Sequence, residues 1–197
     1  MFVQVIEGKV ADRDALHRQM DRWIADLRPG ATGFLGSTAG VADDGTAIAF
    51  ARFESAAAAK ANSDRPEQGT WWSETEKAYA GPVTFTDSDD VETLLGGGSN
   101  DAGFVQVMKG NAHRGRMHAM DRVFEAAAGS FRPDLIGGLR VWTGPQTYIE
   151  IAYFTSEADA RAGEKKEPPA ELRDMMSEFE DVTRDVEFID LEDPWLY

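Results

Sequence analysis

The chain has 197 residues, with 20 Lys and Arg against 35 Asp and Glu, and a formal charge of −15. A field of that sign repels phosphate backbones and anionic lipid, which argues against nucleic acid and membrane surfaces as partners. There is no cysteine, so disulfides, thiolate metal sites and a cysteine nucleophile are excluded, and no apolar run reaches the roughly 20 residues that cross a bilayer.

Residues 2–7 mix β-branched and aromatic side chains and stop at Gly8, the pattern of a short strand. They do not read as a leader segment, and the expectation is a soluble, cytoplasmic protein. Asp12 or Asp14 can cap the helix that follows, whose apolar stripe is Leu16, Met20, Trp23, Ile24 and Leu27. Pro29-Gly30 and Gly33 end it. Two strand-like runs, 34–41 and 46–53, flank Asp43-Asp44-Gly45, a hairpin signal. Ser55 is placed to cap an Ala-rich helix, Pro66 breaks the pattern, and a further helix over 68–79 carries Trp71, Trp72 and Tyr79. Gly81-Pro82 precedes a last strand at 83–86, so the order is strand, helix, strand, strand, helix, strand.

Phe2-Val3-Gln4-Val5 then returns as Phe104-Val105-Gln106-Val107, about 102 positions further on. Met120-Asp121-Arg122 replays Met20-Asp21-Arg22, Arg132-Pro133 replays Arg28-Pro29, and Phe154-Thr155-Ser156 replays Phe53-Glu54-Ser55. The apolar face of the last helix is Leu172, Met175, Met176 and Phe179. The organisation expected is a first unit at 1–87, a connector at 88–102 and a second unit at 103–197. Within the connector, 89–95 is read as a short helix and Gly96-Gly97-Gly98 as flexible.

Two βαββαβ units in tandem, each with a Phe-x-Ser helix start before an Ala-rich segment, resemble the dimeric α/β-barrel superfamily, and within it the antibiotic biosynthesis monooxygenase-like branch. The resemblance implies an α+β fold of two ferredoxin-like units whose antiparallel sheets pack as a barrel within one polypeptide, an intrachain pseudo-dimer; further homo-oligomerisation is left open. It also implies a pocket between sheet and helices for a small hydrophobic or aromatic ligand. Oxygenases of this branch act without a cofactor and place a Trp, a Tyr, an Asn and an Arg around the substrate. Trp72 and Tyr79 fall in the region where that Trp and Tyr stand, while Gln4 and Gln106 hold the polar position of the first strand in place of an Asn.

Each candidate residue has two readings. Gln4 and Gln106 interrupt apolar strands, and a buried amide needs partners: a ligand oxygen, or each other or water. Trp71 and Trp72 point about 100° apart on a helix, so one packs on the sheet while the other borders a pocket. The repeat puts Asp174, Met175 or Met176 near these positions, so any pocket built on the pair belongs to the first half alone. Arg52 emerges beside Ile48 and Phe50, where it would hold an anionic oxygen or pair with a carboxylate. In the second half Tyr153 takes its place, and Trp142, Glu150 and Arg140 form a polar set, most simply a cross-strand Arg140–Glu150 ion pair. His17, His113 and His118 lack metal-ligand spacing, and no metal is expected. The later helix holds no histidine, which disfavours haem. The functional expectation is a cofactor-independent monooxygenase-like oxidoreductase acting on a small aromatic or enolisable ligand, with Trp72, Tyr79, Arg52 and Gln4 catalytic and Trp71, Gln106, Trp142, Glu150 and Tyr153 binding. The alternative is a small-ligand binder or structural pseudo-dimer without catalysis.

Overall fold

The repeated Phe-Val-Gln-Val segment forms an inner strand in each of two five-stranded antiparallel sheets. A computed structural model describes residues 1–170, 172–173 and 182–197; Asp174, Met175, Met176 and Phe179, named above, lie outside the described residues. Two units are distinguished: Met1–Asp90 with Asp193–Tyr197, and Val91–Glu192.

In the first unit, β1 (Phe2–Lys9) leads to α1 (Arg13–Arg22), which continues through a π turn (Trp23–Leu27) and a 3-10 turn (Arg28–Gly30). Asp12 is the cap, its carboxylate accepting from the Ala15 amide at 2.8 Å. The hairpin is β2 (Phe34–Val41) and β3 (Thr46–Phe53). Ser55 caps α2 (Ala56–Ser63), and α3 (Pro66–Thr75) begins on the proline, which needs no amide partner there. The helix expected to reach Tyr79 stops four residues earlier. A 3-10 turn (Glu76–Ala78) then sets Tyr79 extended, bridged to Val10, while the Ala80 amide bonds the Lys9 carbonyl at 2.8 Å. Strand β4 (Thr84–Ser88) completes the replayed order.

Residues read as a short helix are instead a strand, β5 (Val91–Leu94). Val91 and Thr93 favour extended backbone, a helix that short is costly to nucleate, and the segment pairs with the edge of β7 (Leu135–Trp142). The second unit runs β6 (Phe104–Ala112), α4 (Arg114–Phe131), β7, β8 (Thr147–Phe154), α5 (Glu157–Glu164) and β9 (Thr183–Leu191). The chain then adds β10 (Trp195–Leu196) to the edge of β2 in the first unit. The sheet orders are β10-β2-β3-β1-β4 and β5-β7-β8-β6-β9, the same plan twice. Register repeats too: Phe2 lies opposite Phe53 and Gln4 opposite Ala51, as Phe104 lies opposite Phe154 and Gln106 opposite Ala152.

Side chains alternate across each sheet. In the first unit Ala39, Ala47 and Ala49 share a buried cluster with Leu16 and Tyr79, and Trp23, Leu27 and Trp71 form another. In the second, Trp142 and Tyr148 pack on Met117 and Met120. Among the described residues no helix is long and apolar enough to cross a membrane.

Candidate functional site: an apolar cavity in the first unit

Between the sheet and the helices of the first unit lies a cavity with about 80 Å³ open to the centre of a water molecule. Small side chains make its floor. Ala39 on β2 faces Ala49 on β3, with Ala51 and Phe53 beyond. The π turn widens the end of α1 and presents Trp23 and Ile24 to the cavity. Trp71 closes it from α3, anchored by its indole N–H donating to the Gln19 carbonyl at 2.8 Å.

The polar groups are few and mostly fixed. Gln4 lines the cavity and donates from Nε2 to Asp87 Oδ1 across the β1–β4 register at 2.9 Å. At the α2–α3 end, the Trp23 indole donates to Gln68 Oε1 at 2.7 Å. An indole nitrogen only donates, so this contact fixes the orientation of the Gln68 amide. Asn62, 6 % exposed, is held by Arg65, which donates to its Oδ1 at 3.0 Å and to the Leu27 carbonyl at 2.9 Å. Tyr79 lines the opposite side, and burial pushes its phenol up to about 12, so it is protonated at neutral pH. The lining residues include no Asp, Glu, His, Lys or Arg.

The candidate residues divide on this geometry. Gln4, Trp71 and Tyr79 come together on the cavity wall. Trp72 is not on that wall: its ring meets Phe85 edge-on at 5.0 Å and Tyr79 at 6.3 Å, backing the tyrosine. Arg52 alternates with the cavity-lining Ala51 and Phe53 and so projects from the other sheet face, its guanidinium over Gly36. Gln106 repeats the Gln4 contact, donating to Asp190 at 2.9 Å. Tyr153 is fully buried on the sheet face away from the second unit's helices. Asn62, Gln68, Ser37 and Tyr197 line the cavity and were not singled out from sequence. A polar residue opposite an indole donor is a signal only once α2 and α3 are placed against α1.

The matching place in the second unit is filled by charge. Arg140 and Glu150 occupy the cross-strand positions of Ala39 and Ala49. Arg140 donates to Glu150 at 2.8 Å, to Asp121 at 2.6 and 2.8 Å, and to Glu92 at 3.3 Å. Burial works against the Arg140 charge, but Asp121 and Glu150 outweigh it and hold the guanidinium protonated. Burial raises the Glu150 carboxyl despite Arg140. Burial also raises Glu92, yet hydrogen bonds from His118 and Trp142 bring it below the usual carboxylate range. Trp142 lies beneath Arg114, whose guanidinium carbon is 4.7 Å from the ring centre. The cavity left beside this cluster has about 50 Å³ open to a water centre. Among the described residues no group of His, Asp or Glu is arranged to hold a metal ion.

No protein-family model matches the chain, and no curated protein matches it in sequence. Solved structures do match over nearly all of its length. A protein described as a monooxygenase from Lactobacillus acidophilus NCFM superposes with a TM-score of 0.73 at 11 % identity, covering 100 % of this chain and 98 % of that one. One so described from Fusobacterium nucleatum gives 0.73 at 8 %, covering 99 % and 93 %. An anthrone oxidase-like protein gives 0.65 at 10 %, covering 99 % and 92 %. The chain therefore shares the fold of these proteins, two ferredoxin-like α+β units each built on an antiparallel sheet.

Proposed function

We propose that the first unit is an oxygenase-type enzyme acting, without metal or flavin, on a small aromatic or enolisable ligand held in the cavity between its sheet and helices. The observation that carries the reading is the cavity itself: walls of Trp, Phe, Ile and Ala with a few oriented amides and a neutral phenol. Such walls hold a flat apolar ring system, and fixed donors stabilise negative charge that develops on a ring oxygen. Gln68, its orientation locked by Trp23, and Asn62, positioned by Arg65, supply donors at one end. Gln4 and Tyr79 supply them on the β1 side. In the reaction a substrate methylene next to a carbonyl loses a proton to water, and the enolate reacts with dioxygen. The two C–H bonds are replaced by a new carbonyl, whose oxygen comes from O₂. The second oxygen atom leaves as water with both hydrogens, so the substrate supplies all the electrons. Protonated Tyr79 acts as proton donor to the departing oxygen. Arg52 has no part in this scheme, because it projects from the other sheet face, and Trp72 acts only by backing Tyr79.

Oxygen consumption by purified, metal-free protein with 2-tetralone or 1,4-dihydroxynaphthalene tests the reading. The expected result is substrate-dependent uptake that falls at least about tenfold in Tyr79→Phe, the scale of a lost general acid. A second reading, binding without turnover, is favoured by the lack of any carboxylate or imidazole on the cavity wall to take the first proton. Saturable binding of the same compounds with oxygen uptake at the uncatalysed rate would select it.

A further inference from the structure

Residues 193–197 reach the first unit only after the chain has traversed the second, and they are held there by a regular set of contacts. Arg13, His17 and Asp21 stand at successive four-residue intervals on α1, one above another on a single face. Trp195 and Tyr197 alternate along the strand and share one side, and Asp193 precedes them in a bend before Pro194. The two sets meet pairwise. Arg13 donates to Asp193 at 3.2 Å. His17 stacks on Trp195 with ring centres 4.3 Å apart and planes 5° from parallel. The Tyr197 hydroxyl donates to Asp21 at 2.7 Å. Backbone bonds between Ser37 and Tyr197, at 2.7 and 3.0 Å, hold the segment to β2. Gly36, at φ +137°, leaves the room this needs, since a Cβ there would lie 2.6 Å from the Tyr197 carbonyl oxygen.

Tyr197 lines the cavity, and it is held unlike the other walls. Ala39, Ala49, Trp23 and Trp71 sit within strands or helices of the buried clusters. The segment carrying Tyr197 has only a two-residue strand at a sheet edge, and of its side chains Trp195 alone is buried, in the cluster of Ala39 and Ala49. Its polar anchors Arg13, Asp193 and Asp21 have side chains 43 %, 77 % and 61 % exposed, where such pairs contribute little. The second unit repeats the arrangement: Leu94 on the added strand β5 walls the smaller cavity there, opposite Gly138, where Ser37 stands in the first unit.

We propose that Tyr197 is the specificity-determining wall of the first unit's cavity, and that the 193–197 segment is a strap that lifts from α1 and β2 to admit ligand. With the strap down, the cavity takes a bicyclic ring system; a tricyclic one needs the space of the Tyr197 ring. The inference rests on the cavity being a ligand site but not on the oxidation chemistry.

Quenching of intrinsic tryptophan fluorescence, with Trp23 and Trp71 on the cavity wall, reports binding of 1-naphthol and of anthraquinone. Stopped-flow mixing gives the association rates. Tyr197→Ala is expected to raise anthraquinone affinity about tenfold or more, to change 1-naphthol affinity less than about threefold, and to speed association of both. Tyr197→Phe keeps the ring and loses only the Asp21 bond, so it is expected to speed association while preserving the bicyclic preference. Affinities and association rates of Tyr197→Ala that stay within about twofold of the unaltered protein would overturn the strap alone. Absence of binding to both the unaltered protein and Tyr197→Ala would overturn the ligand-site reading, and the strap with it. Binding by the variant only would show the tyrosine to be the obstruction.

Discussion

In the first unit Ala39 faces Ala49 across the hairpin, and the space above them is open; in the second, Arg140 faces Glu150 and their side chains take up much of that space. Strand order, register and cross-strand Gln–Asp bonds are otherwise the same in both. The difference shows how few side chains separate an apolar cavity from a smaller one lined by charge on one backbone plan. Two methyl groups leave a floor. A guanidinium and a carboxylate at the same positions draw in Asp121 from α4 and Glu92 from β5, and the site becomes a structural ion cluster.

The largest effect should come from breaking that cluster. Arg140→Ala leaves Glu92, Asp121 and Glu150 beside one another without their shared cation, and is expected to destabilise the protein by about 3–5 kcal/mol in urea unfolding. Arg140→Ala with Glu150→Ala imitates the first unit and should be less destabilised than Arg140→Ala alone; equal or greater loss would mean the plug is not a coupled unit. The converse change, Ala39→Arg with Ala49→Glu, should abolish 1-naphthol quenching while near-ultraviolet circular dichroism retains a packed aromatic signal. Retained binding would place the ligand elsewhere. Gln68→Leu strands the Trp23 indole N–H and should cost about 1–3 kcal/mol, the penalty for a buried donor without an acceptor.

The smallest effect is in alkali. Burial raises Tyr79 to about 12 from 10.0, so the neutral phenol is favoured in the folded state. The stability it contributes is complete below pH 10, the unfolded value, and is lost as pH rises through 12. Tyr148 in the second unit is raised to about 12 as well. Absorbance at the phenolate band should therefore show a late step near pH 12, reduced in Tyr79→Phe. A Tyr79 step near pH 10 would mean the cavity is wet enough to solvate the phenolate.

The repeat made the fold readable. Strand pattern, helix caps at Ser55 and Ser156, and the matched Phe-Val-Gln-Val segments all report on neighbours in sequence, and the structure places them as read. The site was less legible for a geometric reason. Helical spacing says that Trp71 and Trp72 diverge, but only the Gln19 carbonyl on another helix decides that Trp71 is the one facing inward. The partners of Gln4 and Gln106 are Asp87 and Asp190, carboxylates on the adjacent edge strands, and not each other. Residues 89–95 and 193–197 carry little periodicity of their own; each becomes a strand because an exposed sheet edge offers it unpaired amides and carbonyls.

The reciprocal placement of β5 and β10 also orders events during synthesis. The second unit's added strand is made before the rest of that unit, so its edge is complete once β7 emerges. The first unit has the opposite history. Tyr197 and Asp21 are 176 positions apart, and the loop between them must close before the last wall of the cavity exists. A nascent chain halted after the second unit would hold an open, unlatched cleft with the bare edge of β2 beside it. The same edge offers a measurable marker of maturation, since protection of the Ser37 amide from hydrogen exchange requires Tyr197 to have arrived.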